Sequence, residues 1–222
     1  MIRHMRQPRR RSSMAGQSMV ELVIITPVLL FLLLSVIQAV LLYRIKSTLD
    51  YAALMAARAG AVNGADRMAM RKGLAEGMMP LYAHGTGQVE LEKAYFKALA
   101  DLTLYGQVTV INPTRAAWSN FKERQYNGSY ALPNDTLAYR STAIGSSSVN
   151  VQDANILKIK VVYDAPLVVP FVGWVLGGKS QYLKPGTFER SPLHPLTGRL
   201  PIESYAIVRM QSPIYAQGNL DK

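Results

Sequence analysis

The sequence predicts an α+β chain: a long N-terminal transmembrane helix that extends into a head with a small antiparallel sheet. Three observations carry this expectation. Residues 22–43 form an apolar run without a single charge, helix-favourable sequence continues beyond it to residue 64, and three short strand-like runs follow in the remaining chain. The chain has 222 residues, 49% of them apolar and 18% charged, enough to build a core and too little polarity for wholesale disorder.

The first element is a basic head. Arg3, Arg6, Arg9, Arg10 and Arg11 precede any acid, the first of which is Glu21, and the whole chain carries a formal charge of +11. A surplus of this kind fits either nucleic acid or a membrane topology signal, and the run that follows decides for the second. Twenty-two apolar residues at about 1.5 Å each cross a hydrocarbon core of about 30 Å. Arg44 and Lys46 close the run. A buried soluble helix seldom runs so long with so little polarity. A cleavable secretory signal has a shorter apolar region and ends in a small-x-small site, which is missing here. The arginines place the N-terminus in the cytoplasm and the rest of the chain outside.

Two residues of this segment stand out. Glu21 lies at its cytoplasmic edge, and a carboxylate at membrane depth costs about 2.5–3.5 kcal/mol on insertion scales. Such a residue is either functional or reaches the headgroups as a bystander. Pro27 removes the hydrogen bond to the Val23 carbonyl, a loss that Thr26 or a neighbour can offset.

The helix is expected to continue to residue 64. Ala52, Ala56, Gly60 and Gly64 form one i,i+4 row, and Ala53, Ala57, Ala61 and Ala65 form the row beside it. Two rows of small side chains allow another backbone to come close, either a neighbouring subunit or the head of the same chain. Gly64, Gly73, Gly77 and Pro80 read as turns. Residues 88–102 read as a second amphipathic helix, with Leu91, Tyr95, Leu99 and Leu102 on one face and Glu90, Lys93, Lys97 and Asp101 on another. Residues 107–111, 156–163 and 205–211 read as strands. In the second, Leu157, Ile159, Val161 and Tyr163 alternate with Lys158 and Lys160. Six of the twelve prolines lie between Pro166 and Pro201, in loop-rich sequence.

The sequence GQSMVELVIITPVLL at 16–30 resembles the class III signal of type IV pilins and pseudopilins. It is similar in particular to the TadE-like minor pilins of the tight-adherence (Flp) pilus. The resemblance extends through the alanine-rich residues 52–65, INPTRAAW at 111–118 and QDANILKIKVVYDAPLVVPFV at 152–172. Leu22 stands where many members carry Phe or Tyr. The resemblance implies a pilin-like head, a leader at 1–16, a helical segment at 17–64 and an extracytoplasmic head at 65–222. It also implies cleavage by a prepilin peptidase between Gly16 and Gln17, lowering the net charge to 20 − 14 = +6. Glycine before the scissile bond lets the backbone reach the peptidase's carboxylates unobstructed. Glu21 would then neutralise the new ammonium of a neighbouring subunit. The implied partners are the peptidase, other pilus subunits and the inner-membrane assembly machinery, at the bacterial inner membrane. The alternative is an uncleaved single-pass anchor carrying a binding or adhesive head.

Enzyme signals are weak. Cysteine is absent, which excludes disulfides, thiolate metal sites and cysteine nucleophiles. GWVLGGKS at 173–180 fits the P-loop pattern by letter. Bulky residues fill the loop, however, and Pro185-Gly186 would stop the helix that must follow. His4, His84 and His194 have no second ligand at metal spacing. Ser146-Ser147-Ser148 lacks a nucleophile-elbow setting. No catalytic residues, metal, cofactor, nucleic acid or small-molecule substrate are expected.

Overall fold

The computed structural model describes residues 15–85, 87–169, 172 and 198–221. The chain opens with helix α1, Ala15–Val62, whose 48 residues make a rod of about 72 Å. It runs unbroken through Pro27. The Thr26 hydroxyl donates to the Leu22 carbonyl at 2.6 Å, one residue before the carbonyl that Pro27 deprives. The helix ends where Gly64 and Ala65 take positive φ angles. Its last turn is capped from the far end of the chain. The Gln211 N–H and the Ser212 hydroxyl both donate to the Ala61 carbonyl at 3.0 Å, and the Gly64 N–H donates back to Ser212 Oγ at 2.7 Å.

Asp66 then starts helix α2, Arg67–Met78, by accepting the Ala69 N–H at 2.8 Å. This helix occupies the region expected to turn at Gly73 and Gly77. The two glycines serve close packing instead. A Cβ on Gly77 would stand 2.4 Å from Ala52 Cα, and one on Gly73 would stand 3.0 Å from both the Met55 carbonyl oxygen and Ala59 Cβ. Burial of Met70, Leu74 and Met78 outweighs the helix-weakening of two glycines, each worth about 1 kcal/mol.

Helix α3, Gln88–Tyr105, follows, and it is rotated from the expected face. Ala94, Ala98 and Leu102 are its buried residues, while Leu91 is 40% exposed. Small side chains at 94 and 98 let the helix sit close to its support, and longer ones could not. Strand β1, Gly106–Asn112, leads to helix α4, Arg115–Phe121, which Thr114 caps by accepting the Ala117 N–H at 3.1 Å. A small hairpin of β2, Glu123–Arg124, and β3, Tyr130–Ala131, and a single turn α5, Val151–Ala154, fill the stretch before the long strands.

Strand β4, Ile156–Pro166, is central in the sheet order β1-β4-β5, with every pairing antiparallel. Its expected alternation is present: Leu157, Ile159, Val161 and Tyr163 are buried. Strand β5, Arg199–Arg209, begins six residues before the expected start, because β4 pairs with it over all eleven of its residues, from Ile156↔Arg209 to Pro166↔Arg199. The GWVLGGKS motif at 173–180, His4 and His194 lie outside the described residues.

The core lies between α1, α2 and the sheet, and its largest buried members include Leu49, Met70, Leu74, Met78, Leu157, Ile159 and Tyr163. The C-terminal tail ties it together. The Ile214 carbonyl accepts the Trp118 indole N–H at 2.7 Å, Arg115 donates to the Leu220 carbonyl at 2.8 Å, and Asp221 joins Arg67 to the Val110 N–H.

Gly77→Ala adds about 1 kcal/mol of helix propensity, whereas overpacking against Ala52 costs about 1–3 kcal/mol. The clash is with backbone, so the variant is expected to lower the melting temperature of the full chain in detergent. Gly218→Ala, with nothing within 4 Å of the new Cβ, is expected to leave it unchanged.

Candidate functional site

Helix α1 has two halves of different chemistry. In the first, Leu22, Ile24, Val36 and Val40 are 62–66% exposed, so the chain itself leaves this apolar surface uncovered. Among the described residues, Met19–Val62 is the one helix long and apolar enough to cross a membrane. Its composition and exposure make it a single-pass anchor. Gly16 and Gln17 lie in the first turn of α1, and residues 1–14 lie outside the described residues. Glu21 is exposed one helical turn after Gln17, about 6 Å further along the axis.

In the second half the small residues of the two rows within the helix are buried. Ala52, Ala53, Ala56 and Ala57 are 0% exposed, Ala61 is 1% exposed, and Gly60 is buried with them. The head of the same chain lies over them. Ala52 and Ala56 face Gly77 and Gly73 of α2, and Gly60 meets Met70 and Leu157. Polar contacts flank this grip. Lys46 pairs with Asp50 and donates to the Glu203 carbonyl at 2.8 Å, and the Ser204 hydroxyl donates to Asp50 at 2.7 Å.

One polar side chain interrupts the apolar half. Gln38 is fully buried, and its Oε1 accepts the Val169 N–H at 2.9 Å. The segment just after β4 thus reaches down α1 well inside the uncharged run. Sequence reasoning missed this contact. The available signal was that Gln38 is the sole amide side chain between residues 22 and 43.

The head holds a second polar cluster, also missed. Asp101 was expected on the solvent face of α3, yet its Oδ2 accepts the Tyr82 hydroxyl at 2.6 Å and the Tyr163 hydroxyl at 2.5 Å. Arg199 lies 3.4 Å from Asp101 Oδ1, donates to the Asp164 carbonyl at 2.7 Å, and stacks on Tyr105 with 3.2 Å to the ring centroid. Burial, and then the neighbouring tyrosine and Asp101, push the Tyr82 phenol far above its ordinary value of 10. Burial and Asp101 push Tyr163 the same way. The cluster joins α3 to both long strands and is a structural clamp. Among the described residues no group of three or more His, Asp or Glu side chains could hold a metal, His84 is exposed, and Ser148 closes a turn onto the Gly145 carbonyl at 3.0 Å.

In comparisons with known proteins, the family model described as TadE-like protein matches residues 16–58. Over these residues the chain is similar to that family. No curated protein and no solved structure matches the chain. The TadE-like segment begins at Gly16, includes Gln17, Glu21 and Gln38, and ends within the alanine rows, after Ala52, Ala53, Ala56 and Ala57. Gly60 and Ala61 follow just beyond it. The family match therefore covers the exposed half of α1 and the start of the gripped half, and the head with its tyrosine clamp lies outside it.

The clamp makes the head sensitive to alkali. Both phenols hold their protons more tightly folded than unfolded, so above pH 10 the unfolded chain loses protons that the folded chain keeps. The stabilisation is fully present below about pH 10 and is lost as the pH rises beyond it. Thermal melts from pH 8 to 11 are expected to show this fall, and Tyr82→Phe, with one such group fewer, is expected to show a shallower one.

Proposed function

We propose that this chain is a minor pilin or pseudopilin of a tight-adherence (Tad/Flp) pilus, with a non-enzymatic role in assembly and in the adhesion and biofilm formation that such a pilus serves. The TadE-like match over residues 16–58 carries this reading, because it spans the processing signal, Glu21 and the uncovered apolar helix together. Residues 1–16 act as the leader, residues 17–64 as the stored and later packed helix, and residues 65–222 as the extracytoplasmic head. A prepilin peptidase cuts between Gly16 and Gln17 at the cytoplasmic face of the inner membrane. The partners are that peptidase, other pilus subunits and the assembly machinery.

The mechanism is a transfer between two apolar surroundings. In the bilayer, lipid covers Leu22, Ile24 and their neighbours. In a fibre, the helices of other subunits take lipid's place, and the same side chains serve both states. Glu21 makes the second state specific. Its carboxylate pairs with the Gln17 ammonium of a neighbour, which offsets the cost of burying either charge alone. The exposure of Glu21 at the edge of the uncharged run supports this role.

Two measurements test the proposal. N-terminal sequencing of the membrane form is expected to begin at Gln17, and Gly16→Ala is expected to leave the full-length chain; a wild-type N-terminus at Met1 would overturn processing. Glu21→Gln is expected to insert and be cut normally, since an amide costs less than a carboxylate in lipid. It is expected to fail in crosslinking to other pilus subunits and in piliation, because a buried ammonium left unpaired costs about 3–5 kcal/mol. Normal pili in the Glu21→Gln strain would favour the uncleaved anchor.

A further inference from the structure

The depth of Gln38 has a consequence for the head. A hydrocarbon core takes about 20 helical residues. Counted from Met19 these end at Gln38, and counted from Leu22, after Glu21, they end at Leu41. In either register Gln38 stands at or beneath the head-side edge of the hydrocarbon. Its cover is protein all the same: Gln38 is 0% exposed and holds the Val169 N–H at 2.9 Å. The coverage is a continuous stripe, because Leu34, Leu42 and Ile45 are also partly buried, on the face that continues into Leu49 and the core. The head therefore descends along α1 to the depth of the bilayer.

What it brings there is suited to lipid. Leu167 and Val172 are 0% exposed and Val169 is 6% exposed, whereas Val168 between them is 64% exposed and faces outward. Val36, Ile37 and Val40, at the same height on α1, are 52–62% exposed. The sequence around these valines carries no charge from residue 165 to residue 178. Irregular backbone at this depth needs an internal partner for its N–H groups, and Gln38 supplies one to Val169. A charged or hydrated loop would have no reason to hold that position.

We infer that Leu167, Val168 and Val169 form a second membrane contact, with Val168 seated in the acyl–headgroup boundary of the head-side leaflet and Gln38 fixing its depth. The occupant of the exposed valine surface is lipid. This rests on the reading of α1 as a membrane span. The contact holds the head upright on the bilayer, and extraction of the subunit has to release it together with α1.

The chain has no cysteine, so single-cysteine variants label cleanly. Val168→Cys, Leu29→Cys and Ile144→Cys in the full chain are labelled with an environment-sensitive fluorophore. Each is reconstituted into vesicles of phosphatidylcholine and phosphatidylglycerol. Residue 29 lies mid-run and residue 144 is an exposed head position, 74% accessible. At Val168→Cys the emission is expected to be blue-shifted from that at Ile144→Cys. It is also expected to lose most of its intensity to lipids bearing a nitroxide near the glycerol, and little to aqueous iodide. Iodide quenching equal to that at Ile144→Cys, with Leu29→Cys still quenched by lipid, overturns the inference and leaves the span standing. Protection from both quenchers at Val168→Cys means protein covers the site and overturns it equally. Failure of lipids bearing a nitroxide deep in the acyl chain to quench Leu29→Cys removes the span and the contact together.

Discussion

Helix α1 must satisfy two surroundings along one rod, and the rest of the structure depends on how its second half meets the head. Ala52 and Gly77 approach so closely that a single added carbon would stand 2.4 Å from the opposing backbone. That approach brings α2 onto α1, leaving the sheet to close the core beyond Gly60, where Leu157 and Met70 meet. With larger side chains on either helix, α2 would stand off, and β4 and β5 would lose the apolar support on which Leu157, Ile159 and Val161 rest. The grip also explains why most of the other end of the rod stays uncovered: the bulk of the head lies on residues from Leu49 onward, one stripe reaches down to Gln38, and the apolar surface beside that stripe is exposed.

The head compensates for its small sheet by lacing. Segments far apart in sequence end on one another through defined polar contacts. The tail at 211–212 caps α1, Asp221 joins Arg67 to β1, and Trp118 bonds the Ile214 carbonyl. Asp101 does the same for α3, drawing Tyr82, Tyr163 and Arg199 to one carboxylate. Buried hydrogen bonds of this kind cost more to leave unmade than they contribute when made, so they set geometry more than they add stability. Lacing of this kind keeps the head from shearing along α1.

Gln38 belongs to both themes. It is a polar residue in a membrane-length run whose Oε1 accepts the Val169 N–H of the head, while its buried Nε2 has no partner among the described residues. The exposed apolar face of α1 and its head-covered stripe consequently overlap around Gln38, on opposite sides of the rod. The TadE-like match ends at Arg58 and so contains this overlap, while the clamp around Asp101 lies beyond it.

The sequence by itself determined whatever depends on composition and period. The uncharged run at 22–43, the alanine rows and the alternation from Leu157 to Tyr163 each express a local rule, and the long helix and the sheet were legible from them, while the TadE-like resemblance rests on the motif at 16–30. Tertiary structure decided the remainder, because those features depend on what lies opposite. Gly73 and Gly77 weaken a helix in isolation and make α2 possible only because Ala52 and Ala56 face them. Asp101 sits at a solvent-like position of the α3 pattern and turns inward only because two phenols and Arg199 arrive from other elements. Gln38 is an ordinary polar interruption in the sequence. It becomes a depth marker only once β4 has delivered the Val169 N–H to it, since a hydrogen bond across 131 positions of sequence has no local signature.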